Sequence, residues 1–411
     1  MKTNLLAVKK GRVQEKIEEF AKFGETANGG VTRLALSEED RLVRNYFREY
    51  CERLGLAVKV DDMGNMYGTL EGKENKPPIV IGSHLDSVKK GGKYDGALGV
   101  IAGLEVIETL IDNNITPRIP ITVVNFTNEE GARFDPAMMS SGVLSGKFQK
   151  EKMMESTDVN GVTFREALDA INYVGEYENR LTEATAFLEL HIEQGPVLDN
   201  TSTSIGVVDC VVGMVCYEIE ITGESNHAGT TPMNMRRDSL FVANDLIMSA
   251  REYLRKLDEQ LVYTIGRMNV LPNIHTVIPE KTIFTIEARH KDPQVIRQVE
   301  AIVESLGNSP SRDLATIEIR KLWDRDTVWF APHLRDLVEK SADALHYSNS
   351  RVVSGAGHDA QFIASYIPTT MIFVPSINGK SHMENEKTDW EDCEKGVNVL
   401  LNTVISLLEN E

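Results

Sequence analysis

Hydrophobic and polar positions follow two different rhythms along this chain. In roughly the first half, continuous apolar runs alternate with amphipathic stretches. The runs PPIVIGSH (77–84) and RIPITVVNFTNEE (118–130) are too uniformly apolar to have one wet face and predict buried strands. Between them LGVIAGLEVIETLIDNN (98–114) has helical spacing, so the three form a βαβ unit and predict a mostly parallel sheet. FLELHIEQG (187–195) reads as a further strand of that layer.

From about residue 212 the rhythm changes. VCYEIEITGE (215–224) alternates with period two, as a strand wet on one side does, and DSLFVANDLIMSAREYLRKL (238–257) is an amphipathic helix. The strands LVYTIGRMNV and KTIFTIEARH, the helix PQVIRQVEAIVESLG and the strand ATIEIRKLW follow, giving the order βαββαβ of a ferredoxin-like unit. The α/β rhythm then resumes with the helix APHLRDLVEKSADAL, the strand TTMIFVPS and a closing helix from Trp390. The expected fold is α/β: a discontinuous catalytic domain with a mostly parallel sheet (1–211 and 328–411), interrupted by an inserted α+β domain (212–327).

Composition narrows the function classes. With 41% hydrophobic and 26% charged residues in 411, the chain reads as globular, and no apolar run approaches the length of a membrane helix. The sum of 44 basic and 62 acidic residues is a net charge of -18, which disfavours nucleic acid and anionic lipid as partners. Cys51, Cys210, Cys216 and Cys393 are scattered and suit reduced thiols. In the opening MKTNLLAVKKGRVQEK, KKGR interrupts the apolar patch before a signal-peptide core forms, so a cytoplasmic protein is expected.

Candidate chemistry sits where the predicted strands end. In GSHLDSVKKGGKYDGALGV (82–100), His84 and Asp86 are two apart at a strand end and share a face, while the glycines allow Asp95 to bend back toward them. In NFTNEEGARF, Glu129 and Glu130 are adjacent after a buried strand; neighbouring carboxylates repel unless solvent or a cation compensates, and their divergence leaves one for a metal and one for proton transfer. His191 lies within an apolar strand, and His382 follows another in NGKSHMENE. A single strand histidine is more often a hydrogen-bonded core residue than a ligand. It is the convergence of His, Asp, Glu, His and His on the ends of one sheet that points to metal. These donors suit zinc, manganese or nickel rather than magnesium or calcium, and they are enough for two ions bridged by a shared carboxylate.

The segments GSHLDSVKKGGKYDGALGV, TNEEGARF, LHIEQGP, GESNHAGTTPMNMRRD, SGAGHDAQ and GKSH, in this order over nearly the whole chain, resemble the metal-dependent amidohydrolases of the M20 peptidase clan. The similarity is to the branch of N-carbamoyl-L-amino acid hydrolases, allantoate amidohydrolases and β-ureidopropionases. The resemblance implies two divalent ions (zinc, manganese, cobalt or nickel): one held by His84, Asp95 and His191, the other by Asp95, Glu130 and His382. It also implies that Asp86 orients His84, that Glu129 is the general base, and that His227 stabilises the oxyanion across a homodimer formed by the inserted lid domain. Gln194, Arg289 and His358 match substrate-contacting positions, with Arg289 clamping a substrate carboxylate.

Two departures stand out. Where the family usually has asparagine before VIP, PNIHTVIPEK places Thr276, with Asn273 three residues earlier; threonine is shorter and offers a hydroxyl in place of an amide, so a weaker or water-mediated contact to the substrate carboxylate is expected. Glu384 replaces a common proline. The expected reaction is hydrolysis of an N-carbamoyl-L-amino acid, a ureido substrate with a carboxylate. Allantoate hydrolysis is the alternative within the class, and a catalytically silent, metal-binding dimeric protein the alternative outside it.

Overall fold

The computed structural model describes residues 5–308 and 315–410. The chain divides into two compact units, one comprising the residues up to Asp209 and those from Trp329 onward, the other Cys210–Val328. In chain order the strands are β1 (Ala57–Val60), β2 (Met66–Leu70), β3 (Ile79–His84), β4 (Ile121–Phe126), β5 (Ala186–Ile192) and β6 (Ile205–Val211). They continue with β7 (Gly213–Thr222), β8 (Val262–Thr264), β9 (Met268–Leu271), β10 (Lys281–His290) and β11 (Thr316–Arg325), then β12 (Val328–Trp329), β13 (Asn349–Ser354) and β14 (Thr369–Val374).

The first sheet runs β1-β2-β4-β3-β5-β14-β6-β12, with β13 on β6. Its centre is parallel: β3 pairs with β4 and β5, and β5 with β14. Antiparallel strands flank that centre, β2 against β4 and β6 against β14. Every residue of β3, β4, β5 and β14 is buried, which is why these strands are apolar without alternation. The helix Ala97–Asp112 that joins β3 to β4 is buried on nearly all sides. Gly99 lets it approach the sheet: a Cβ there would lie 2.7 Å from the carbonyl oxygen of Leu190. Its one buried acid, Glu105, is neutralised by Arg12 at 2.8 Å and by Lys16. Because the four central strands are parallel, their carboxyl ends open on one edge, and α/β sheets carry their ligand crevices there.

The second unit is a separate antiparallel sheet, β11-β7-β10-β8, with β9 also on β10. Val215, Tyr217, Ile219 and Ile221 of β7 and Phe284, Ile286 and Ala288 of β10 point to one face and pack with helices Ser239–Leu254 and Pro293–Ser305. Asp238 and Asp292 cap those helices through their side chains. One expectation is corrected in detail. LVYTIGRMNV is not one strand but two, because the segment around Gly266 leaves the ladder between the β8 and β9 registers on β10. The Thr285 N–H, bonded to the Arg267 carbonyl at 3.1 Å, bridges the break. Among the described residues no helix is long and apolar enough to cross a membrane, and all four cysteines are buried and free.

Candidate metal and catalytic centre

The site is assembled from the carboxyl ends of the parallel strands and the loops that follow them. β3 ends on His84, whose Nδ1 lies 2.9 Å from the main-chain oxygen of Asp86. Nδ1 therefore carries the proton, and Nε2 turns toward Glu129 Oε2 at 3.5 Å. His191 of β5 is fixed in the same way, with Nδ1 2.8 Å from the Ile192 carbonyl. Its Nε2 faces Asp95 Oδ1 at 3.1 Å. The other oxygen of Asp95 faces His382 Nε2 at 3.2 Å, and that same nitrogen lies 3.3 Å from Glu130 Oε2. Gly96, at φ 64°, could carry no side chain, since a Cβ would lie 2.3 Å from the His84 ring.

Two donor groups result, His84–Asp95–His191 and Asp95–Glu130–His382, each with its ligand atoms within 4.8 Å of one another. They share Asp95. A third group, Glu189–His191–His358, has equally close atoms, but its members are engaged in scaffold bonds. Glu189 accepts from Ser83 Oγ at 2.6 Å and from Ala360 N–H at 3.2 Å, and His358 Nε2 bonds Ser354 Oγ at 2.9 Å. His358 packs edge-on against His191, with ring centroids 4.5 Å apart, which places it behind a donor. The nitrogen and oxygen donors of the first two groups fit the divalent ions that the M20 resemblance implies.

The electrostatics of the cage also favour cations. Burial raises the carboxyl of Glu129 well above its usual range, and Asp359 and Glu130 add to the effect. Burial and Asp95 do the same to Glu130. For Asp95 burial acts against the charge, but hydrogen bonds from His191 and His382 outweigh it and hold the group well below the carboxylate norm. Burial lowers His84 to about 4, so its ring is neutral with a free lone pair. His191 is also buried, yet the bond and charge of Asp95 raise it to about 9.

The contact expected between Asp86 and the His84 ring runs through the Asp86 main chain. β3 stops at His84, so Asp86 lies beyond the strand and presents its carbonyl, not its carboxylate, to the ring; the carboxylate is 3.8 Å away. That carboxylate instead accepts the N–H groups of Glu129 and Glu130, both at 3.3 Å, and so positions the glutamate pair. Gln194 donates to Asp95 Oδ2 at 2.8 Å. The remaining expected residues belong to the second unit. His227 is exposed, and its Nδ1 accepts N–H bonds from Gly229 and Thr230 at 3.0 and 3.2 Å, so its own proton sits on Nε2. Thr276 lies beside it, its carbonyl bonded to Ala228 N–H at 2.9 Å, and Asn273 is exposed at φ 60°. Arg289 of β10 pairs with Glu287. Sequence reasoning gave no role to the buried acids Glu189, Asp359 and Glu386; only the fold reveals their burial.

Residues 80–406 match the profile of Peptidase family M20/M25/M40. The chain belongs to this family. Among curated M20-type relatives, it is 37% identical over 400 residues to an N-carbamoyl-L-amino-acid amidohydrolase of Rhizobium meliloti, covering 97% of this chain and 96% of that one. It is 35% identical over 395 residues to the allantoate amidohydrolase of Escherichia coli K12, covering 94% and 95%. Among solved structures, an amidase of the hydantoinase/carbamoylase family from Burkholderia multivorans superposes with a TM-score of 0.91 at 39% identity, over 97% of this chain and 98% of that one. This M20 chain is a hydrolase acting on non-peptide C–N bonds.

The protonation pattern predicts how metal uptake depends on pH. Glu130, raised by burial and Asp95, and His191, raised to about 9, hold protons that a cation must displace. Binding should release protons near pH 7, and affinity should rise with pH until both ligands are deprotonated. Calorimetric titration with zinc in two buffers of different ionisation enthalpy checks this; pH-independent affinity without proton release would contradict it.

Proposed function

We propose that the chain is a two-metal amidohydrolase that cleaves the carbamoyl C–N bond of N-carbamoyl-L-amino acids, yielding the amino acid, carbon dioxide and ammonia. The observation that carries this reading is the sharing of Asp95 between two donor groups, with Glu129 beside His84. Relatives named as N-carbamoyl-L-amino-acid amidohydrolases supply the substrate class. His84, Asp95 and His191 would hold one divalent ion and Asp95, Glu130 and His382 the other, with zinc, manganese, cobalt and nickel as matching metals. When bound, the pair would act as Lewis acids toward a carbonyl and lower the pKa of water.

The chain's own groups supply the rest. Glu129 takes the proton of the attacking water and returns it to the departing nitrogen, a cycle that its raised pKa suits because a buried carboxyl among other acids is a stronger base than an exposed one. His227, protonated on Nε2, offers a donor to the oxyanion that forms as the carbamoyl carbon becomes tetrahedral. Arg289 clamps the substrate carboxylate, a local cation in a chain of net charge -18. Gln194, Asn273 and Thr276 complete the substrate contacts, and His358, expected among them, instead backs the His191 ring. The second unit serves as lid and homodimer interface. Support for the dimer comes from Phe241, Met248 and Tyr253 on its first helix and Val262 and Met268 on β8 and β9, all exposed. A cytoplasmic location completes the reading.

Two measurements test this reading. Replacing Glu129 with glutamine removes the base and leaves the ligands, so metal content should persist while kcat falls about 10²- to 10⁴-fold; near-native turnover would remove Glu129 from the mechanism. Ammonia release should be seen with N-carbamoyl-methionine and vanish with chelator. Turnover of allantoate alone would favour the second reading, which the Escherichia coli relative motivates, and turnover of neither would leave a silent metal-binding protein.

A further inference from the structure

Glu386 is 6% exposed and ties together two loops that supply donors to the cage. Its Oε1 accepts the N–H of Asp95 at 3.1 Å and that of Tyr94 at 3.2 Å. Its Oε2 accepts from Ser381 Oγ at 2.8 Å. Ser381 in turn lies 3.2 Å from Asp95 Oδ2, the oxygen that faces His382, and 3.2 Å from Gln194 Nε2. The sequence makes room for this carboxylate. A Cβ at Gly92 would stand 1.9 Å from Glu386 Oε1, so the loop that carries Asp95 is built around it.

The two donor groups depend on this clamp to different degrees. His84 and His191 lie on strands of the buried sheet, and a main-chain carbonyl fixes each ring. His382 has no strand beneath it. It sits on a loop at φ 57° with its side chain 53% exposed. The same short segment carries Ser381, His382 and Glu386, so the bonds from Glu386 to the 94–95 backbone hold His382 in register with Asp95.

We propose that Glu386 is the positioning residue of the Asp95–Glu130–His382 group: it fixes the His382 loop against the Asp95 loop, so that without it the second ion is lost while the first stays. This inference rests on the two-ion reading above. Glu386 belongs to neither donor group. It acts through hydrogen-bond acceptance by its oxygens, and glutamine, which keeps one acceptor oxygen for the two N–H groups and an amide for Ser381, should replace it.

The test is cobalt(II) titration of the whole metal-free chain, followed by visible absorption, for wild type, Glu386→Ala and Glu386→Gln. Wild type should take up two ions. In Glu386→Ala one site should keep its wild-type affinity and the other should lose about 10- to 100-fold, while Glu386→Gln should stay close to wild type at both. If Glu386→Ala does not fold, Glu386→Asp, which withdraws the oxygens by one methylene, carries the same expectation. Equal weakening of both sites, or two unchanged sites, overturns the assignment. A glutamine variant as impaired as alanine also overturns it, because charge and not acceptance would then be the requirement. A wild type that binds one ion overturns the two-ion reading, and this inference with it; a wild type that binds two isolates any failure to Glu386.

Discussion

One buried carboxylate, Asp95, offers an oxygen to each of two histidines, and much of the surrounding structure serves to keep it there. Charge of this kind is costly in a protein interior unless it is paired and hydrogen-bonded. Asp95 meets that condition through His191, His382, Gln194 and Ser381. Its backbone is held by Glu386, and the following glycine leaves space for the His84 ring. Glycine at 92 and 96 serves this end, because the Glu386 side chain and the His84 ring lie where a Cβ would be.

The sheet supplies the frame. Four parallel strands with both faces buried can end together only on one edge, and there Asp86, Glu129, Glu130, Glu189 and Asp359 crowd around the histidines. Two like charges about 4 Å apart repel by roughly 4 kcal/mol at an effective dielectric near 20. Such a cluster is stable through protonation, through donors such as the 129 and 130 amides on Asp86, or through cations. Raised carboxyls at Glu129 and Glu130 express the first of these and create the demand for the last.

The parts legible in the sequence were those with a strong physical signature. Doubly buried strands are apolar without alternation, so β3, β4, β5 and β14 stood out, as did the largely apolar helix from Ala97. The flanking β1, with residues 57–60 half-exposed, has no such signature. Neither has the interruption around Gly266, where a continuing alternation conceals the loss of register. In the site, donors were visible because several strand ends repeated the same theme. That Asp86 meets His84 through its main chain was not legible, because two-residue spacing does not show that β3 ends at His84. Glu386 was invisible: an acid in MENEKTD resembles a solvated loop residue, and only the Gly92 backbone passing over it makes it part of the core.

The most direct test of this arrangement is anomalous diffraction from crystals grown with manganese or zinc. The account predicts two peaks on either side of the Asp95 carboxylate, roughly 3.5 Å apart, one within reach of His84 and His191 and the other of Glu130 and His382. A single peak, or density at sites that Asp95 does not touch, would contradict it.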